Sequence, residues 1–209
     1  MTIHFLAPED KDKWNPIWHK CFDTWAQTKY NINVWTDEGI DNLLKEDDEE
    51  FYTNYLSKLP NIYKFDYVRY IILEKYGGAY FDMDVELVDE SFFNKLNPNK
   101  LYIKEGHAGS YMENSIIISL SSSFSSLWKR LKNYTKNMLR DNFENAKLSP
   151  NYTLTLVGPD IMGKFFSTHV REKDILHNTI SFEILSHEHF GSLTNEISFT
   201  RHHMTNSWQ

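Results

Sequence analysis

The chain alternates between two hydrophobic rhythms. Ile3 to Leu6 is a short apolar run halted by Ala7-Pro8, and it predicts a first strand. Trp14, Ile17, Trp18, Cys21, Phe22 and Trp25 then recur at steps of three and four, which predicts an amphipathic helix with the tryptophans in the core. Asn33 to Thr36 reads as a second strand, with Asp37 as the N-cap of a following helix. The acidic run Glu46 to Glu50 predicts solvated surface. Tyr63 to Tyr76 carries Phe65, Val68, Ile71, Ile72 and Tyr76 along one stripe, and Gly77-Gly78 stops that helix as a left-handed C-terminal turn does. Ala79 to Leu87 follows as one strand. Further strands are predicted at Leu101–Ile103, Ser115–Leu120 and Ile180–Leu185, with helices over Ser125–Leu139 and from Gly158-Pro159 through Phe166. Strands interleaved with helices predict one layered α/β domain over 1–209, with a central mixed, largely parallel sheet flanked by helices.

Composition narrows the partners. The 209 residues carry a net charge of −7, so no basic surface points to nucleic acid, and 41% hydrophobic content excludes disorder. Mean hydropathy is −0.55, and no apolar run approaches the roughly 20 residues of a membrane span. Met1 to Phe5 lacks the basic start of a secretory signal, and the lone Cys21 excludes an internal disulfide. These features lead to the expectation of a cytoplasmic chain, or of one domain cut from a longer protein; if the source is viral, the host cytoplasm is meant.

Chemistry concentrates in Tyr80-Phe81-Asp82-Met83-Asp84-Val85-Glu86. Read as a strand, it points Tyr80, Asp82, Asp84 and Glu86 to one face and Phe81, Met83 and Val85 to the other. Two carboxylates there repel and resist desolvation, and a divalent cation such as Mn²⁺ or Mg²⁺ relieves both penalties. Asp66 and Arg69, three apart on the preceding helix, share a face and can pair. Haloacid-dehalogenase-like phosphatases also use Asp-x-Asp-x-Thr/Val, which Asp82 to Val85 fits, but no downstream acidic pair supports that reading. A non-catalytic carbohydrate-binding module is the other alternative.

The joint spacing of Lys64-Phe65-Asp66-Tyr67-Val68-Arg69-Tyr70 and Tyr76-Gly77-Gly78-Ala79-Tyr80-Phe81-Asp82-Met83-Asp84 resembles the sugar-binding region of D-x-D glycosyltransferases. The relatives are Och1-like mannosyltransferases, capsular sugar transferases and clostridial glucosylating toxins. The compact size is also similar to glycosyltransferase domains of chloroviruses that act on capsid glycans. This resemblance implies the GT-A (Rossmann-like) nucleotide-sugar-binding fold and a metal-dependent glycosyltransferase. Its donor would be a nucleotide sugar, UDP-sugar favoured over GDP-sugar, and its acceptor a hydroxyl of a glycan or glycoprotein. It implies that Asp66 and Arg69 hold the donor sugar, that Tyr80 lies beside the nucleoside, that Asp82 contacts ribose or metal, and that Asp84 ligates the metal. Phe5, Leu6 and Ala7 would lie under the base by topology. The closing His202-His203-Met204-Thr205-Asn206-Ser207-Trp208 is similar to the family's ending, so His202 or His203 would complete the metal site while Ser207 and Trp208 contact the diphosphate. Asn114 would orient hydroxyls near the reacting carbon, and Asp160 would face the acceptor. A general base, where one is needed, is open among Asp160, Glu113, Glu105 and Asp141.

Overall fold

The computed structural model describes residues 1–106, 112–170 and 181–205. In chain order these form β1 (Thr2–Leu6), α1 (Pro16–Ala26), β2 (Asn31–Trp35), α2 (Asp37–Asn54), α3 (Asn61–Tyr76), β3 (Gly78–Phe81), β4 (Val85–Leu87), β5 (Lys100–Glu105), β6 (Met112–Ser119), α4 (Ser125–Asp141), α5 (Phe143–Leu148), α6 (Thr153–Leu156), α7 (Pro159–Phe165), β7 (Ser181–Leu185), α8 (His187–Phe190) and β8 (Thr200–His202). Ile180 lies outside the described residues. A six-stranded sheet runs in the order β2-β1-β3-β6-β5-β7, with β6 antiparallel to both its neighbours and the remaining pairs parallel. The expected mixed α/β layering is therefore present. No helix among the described residues is long and apolar enough to cross a membrane.

Period-2 alternation divides the sheet's side chains between two cores. Leu101, Ile103, Ile117 and Tyr80 face the layer of α2, α3 and α4, while Tyr102, Ile116, Ile118, Ala79 and Phe81 face the layer of α1. Trp14, Trp18 and Trp25 are buried in that second core, as their spacing predicts.

Local expectations needed three revisions. Thr36, not Asp37, caps α2, its hydroxyl accepting from Gly39 N–H at 3.4 Å. The acidic run is not merely solvated: Asp47 pairs with Lys132 at 2.6 Å and Asp48 pairs with Lys136, tying α2 to α4. Ala79 to Leu87 is not one strand. Val85 N–H donates to Asp82 C=O at 3.0 Å, closing a turn that separates β3 from β4. Phe81, Met83 and Val85 nevertheless all reach the α1-side core.

The helix-to-strand junction needs its glycines. Gly77 has φ +60° and Gly78 φ +86°, the left-handed half of backbone space that side chains disfavour. A Cβ on Gly78 would lie 2.4 Å from Thr2 O of the neighbouring strand. Beside it His4, fully buried, donates from Nε2 to Gly77 O at 3.1 Å and accepts Trp35 Nε1–H at Nδ1 at 3.2 Å. The Trp35 bond requires the neutral ring, since only an unprotonated Nδ1 can accept. Burial pushes its pKa down to about 4, opposed in part by the Gly77 carbonyl.

Two expectations follow. Gly78→Ala should cost at least ~2 kcal/mol, read as a lower urea midpoint, because left-handed strain and a backbone collision add. For His4, the unfolded chain takes up a proton below pH 6.5 while the folded chain resists until about 4, so the ring's contribution fades as pH falls through that window. His4→Gln should flatten the wild-type loss of stability across it, and an unchanged slope would refute the assignment.

Candidate active site

α3 brings Asp66 and Arg69 onto one face, and the glycine junction carries the chain directly from its end into the Asp82 turn. Both side chains are buried, Asp66 at 4% and Arg69 at 2% exposure, so the two pair inside the protein rather than on its surface. Arg69 Nη1 lies 3.2 Å from Asp66 Oδ1 and donates to Asn114 C=O at 3.1 Å, while Nη2 lies 3.1 Å from Asp82 Oδ1. The guanidinium sits 4.7 Å above the Tyr80 ring, and Tyr80 Oη donates to Asp82 Oδ1 at 2.6 Å. One planar cation thus joins the helix acid to the first acid of the turn.

Asp66 is held from two more directions. Asn114 Nδ2 donates to its Oδ1 at 3.0 Å, and Thr153 Oγ1 donates to its Oδ2 at 3.0 Å. Gly158, at the start of α7, leaves the space for this: a Cβ there would lie 3.0 Å from Asp66 Oδ2. Asp160, two residues on, is exposed in the first turn of α7.

The second acid meets the end of the described chain. β4 and β8 form a two-stranded antiparallel ribbon with Val85 opposite His202. This pairing sets His202 Nε2 3.2 Å from Asp84 Oδ1. Asp84 Oδ2 accepts from Thr205 N–H at 2.7 Å and Thr205 Oγ1 at 3.0 Å, and its carbonyl accepts from His203 N–H at 3.0 Å. Trp18 Nε1 donates to Thr205 Oγ1 at 3.2 Å, so a core tryptophan also anchors the tail.

Asp82, Asp84 and His202 each offer a ligand atom within 4.8 Å of the others. Their electrostatics suit a cation. Burial raises Asp82 to about 6; Arg69 opposes this, and the neighbouring Asp84 adds to it. Burial acts the same way on Asp84, but the His202 and Thr205 hydrogen bonds prevail and hold it at about 2. Burial disfavours the His202 imidazolium, yet Asp84 and, behind it, Glu113 and Asp82 raise its pKa. Two carboxylates and an imidazole form a donor set that fits Mn²⁺ or Mg²⁺.

Other expected site residues fall elsewhere. His203 turns away from this cluster, its Nε2 2.9 Å from Glu86 Oε2, because adjacent residues on a strand face opposite sides. Tyr80 is fully buried beneath Arg69 rather than open to a nucleoside. Phe5 and Leu6 are consumed by the two cores and Ala7 is buried, so their side chains offer no surface to a base. Ser207 and Trp208 lie outside the described residues. Among the open candidates for a base, Glu113 pairs with the buried Lys104, Glu105 accepts from His187 N–H at 2.8 Å, and Asp141 is exposed where α4 ends. Thr153 and Thr205 escaped the sequence reading. Thr153 stands close before the Gly158-Pro159 helix start, the one signal near it.

Residues 11–103 match the family model of the glycosyltransferase sugar-binding region containing DXD motif. Inositol phosphoceramide mannosyltransferase 3 of Schizosaccharomyces pombe is 40% identical over 77 residues, 37% of this chain and 21% of that protein. Inositol phosphoceramide mannosyltransferase 1 of the same yeast is 44% identical over 87 residues, 40% of this chain and 27% of that protein. The matched segment thus spans about a quarter or less of these relatives. A solved glycosyltransferase involved in the glycosylation of the major capsid of PBCV-1 superposes with a TM-score of 0.52 at 13% identity, covering 98% of this chain and 92% of that one. The fold is that of GT-A glycosyltransferases.

The tail tether is testable alone. Thr205→Val removes the hydroxyl that bridges Asp84 and Trp18 but keeps the amide. Amide exchange at His203 and Thr205 should quicken several-fold, with about 1 kcal/mol lost from local stability. Unaltered exchange would show that the hydroxyl does not hold the tail.

Proposed function

We propose that this chain, which carries the D-x-D sugar-binding region of glycosyltransferases, is a metal-dependent glycosyltransferase. Its donor is a nucleotide sugar, a UDP-sugar ahead of a GDP-sugar, and its acceptor is a hydroxyl of a glycan or glycoprotein. The observation that carries the reading is the adjacency of two sets. The cation-type cluster of Asp82, Asp84 and His202 is joined through Arg69 to the buried Asp66, Asn114 and Thr153.

Asp82, Asp84 and His202 would hold Mn²⁺ or Mg²⁺, which supplies positive charge to a departing nucleoside diphosphate. The remaining work belongs to the protein. Asn114 and Thr153 fix the Asp66 carboxylate for a sugar hydroxyl, and a positioned group of this kind removes orientational freedom before reaction. Arg69 spends its Nη groups inside the protein, so it acts on the sugar by holding Asp66 and Asp82 in place. The Thr205 tether brings the chain to within two and three residues of Ser207 and Trp208, whose hydroxyl and indole N–H suit phosphate oxygens. Asp160, exposed near Gly158, is assigned to the acceptor side. The phosphatase alternative loses ground because Asp82 Oδ1 already takes bonds from both Tyr80 and Arg69, which blunts it as a nucleophile.

The test is release of free nucleoside diphosphate from a panel of UDP- and GDP-sugars with Mn²⁺. GDP-mannose belongs in the panel because the yeast relatives are named mannosyltransferases. Chelation should abolish release, and Asp84→Asn should lower it at least ~100-fold with circular dichroism unchanged. Full activity in that variant would remove the metal assignment. Hydrolysis of a simple aryl phosphate would favour the phosphatase, and glycan binding without diphosphate release the binding module.

A further inference from the structure

Behind His202 lies a pair of charges that the proposed reaction does not use. Lys104 on β5 sits opposite Glu113 on β6, immediately past the register shift at Ile103/Lys104. Lys104 is fully buried, its ammonium paired with the Glu113 carboxylate. Gly191 makes room for it, since a Cβ there would lie 2.8 Å from Lys104 Cε. A buried ion pair is a poor stabiliser, and two apolar side chains would serve the sheet as well or better. Its placement supplies a reason to keep it. Glu113 Oε1 lies 3.5 Å from His202 Nδ1, while His202 Nε2 faces Asp84 from the other side of the ring. His202 Nδ1 is buried and has no hydrogen-bond partner among the described residues. The gap to Glu113 exceeds a hydrogen bond by roughly half an ångström, which a small ring rotation closes.

We propose that Glu113, anchored by Lys104, is a positioning residue that holds His202 in the Nδ1–H tautomer, so that Nε2 offers its lone pair to the divalent cation. This rests on the metal reading above. Lys104 fixes the Glu113 carboxylate in place, and Glu113 in turn sets the ring's direction. Neither residue touches the substrate.

The experiment titrates Mn²⁺ into the full chain, wild type, Glu113→Gln and His202→Ala, and follows the free-ion signal by electron paramagnetic resonance. A second measurement reads the His202 ring nitrogens by ¹⁵N NMR at alkaline pH in protein loaded with diamagnetic Mg²⁺, where Nε2 would face the cation and no longer donate to Asp84. Glu113→Gln is isosteric and leaves Lys104 an acceptor, so circular dichroism should not change. We expect it to bind Mn²⁺ ten- to a hundredfold more weakly than wild type and to lose the Nδ1–H signature. Equal affinity in Glu113→Gln alongside weakened binding in His202→Ala would overturn the inference while leaving the metal site standing, as would a wild-type ring protonated at Nε2. Absence of Mn²⁺ binding by the wild type would bring down both.

Discussion

The buried Arg69 guanidinium is the constraint on which the site depends. Asp66 and Asp82 approach it from a helix and a turn, and a third acid, Asp84, stands two residues further on. Without a cation between them these carboxylates could not share a desolvated space, because each would either protonate or move to water. Arg69 suits this position because it stays charged under burial and because its planar fork can address two partners at fixed angles. Stacking on Tyr80 fixes the plane of that fork, and the Tyr80 hydroxyl closes on the same Asp82 oxygen.

Among the described residues the charges of this cluster do not balance. Asp66, Asp82, Asp84 and Glu113 face, among the described residues, Arg69 and Lys104 as permanent cations. With His202 neutral, two negative charges are left over, and they gather at the Asp82–Asp84 end. Burial raises Asp82, with the neighbouring Asp84 adding to it, and the surrounding carboxylates raise His202, so each draws a proton toward the cluster. A divalent ion answers the same excess without protons. The architecture that gathers these groups is mixed: Asp66 and Arg69 are set by helical spacing, Asp82 and Asp84 by a turn, and His202 by a strand pair bridging most of the chain.

How far the sequence disclosed this varied with the range of each contact. Asp66 with Arg69, and the glycine stop before Asp82, are local patterns, and three-residue helical spacing and positive φ made them readable. The Asp82–Asp84 pair was found for an incomplete reason. Alternation of Phe81, Met83 and Val85 suggested an unbroken strand, yet a turn with the same buried residues produces the same alternation. Both geometries bury every second side chain, so hydrophobic pattern cannot separate them. Thr153 and Lys104 gave no usable signal, since a threonine in a short helix and a lysine on a strand look ordinary until their partners arrive from 87 residues away and from across a sheet.

By itself the sequence determined the α/β layering, the end of the long central helix at its glycine stop and the identity of its acid and guanidinium, because each follows from periodicity and backbone sterics within a few residues. Tertiary structure alone decided that His202 rather than His203 reaches the acids. The two neighbours are equivalent in composition, and only the β4–β8 register turns one inward and the other toward Glu86. It also decided that Tyr80 supports Arg69 from below and that Glu113 stands behind a histidine. Such choices depend on which distant strands pair and at which offset, and a one-residue slip would exchange every face.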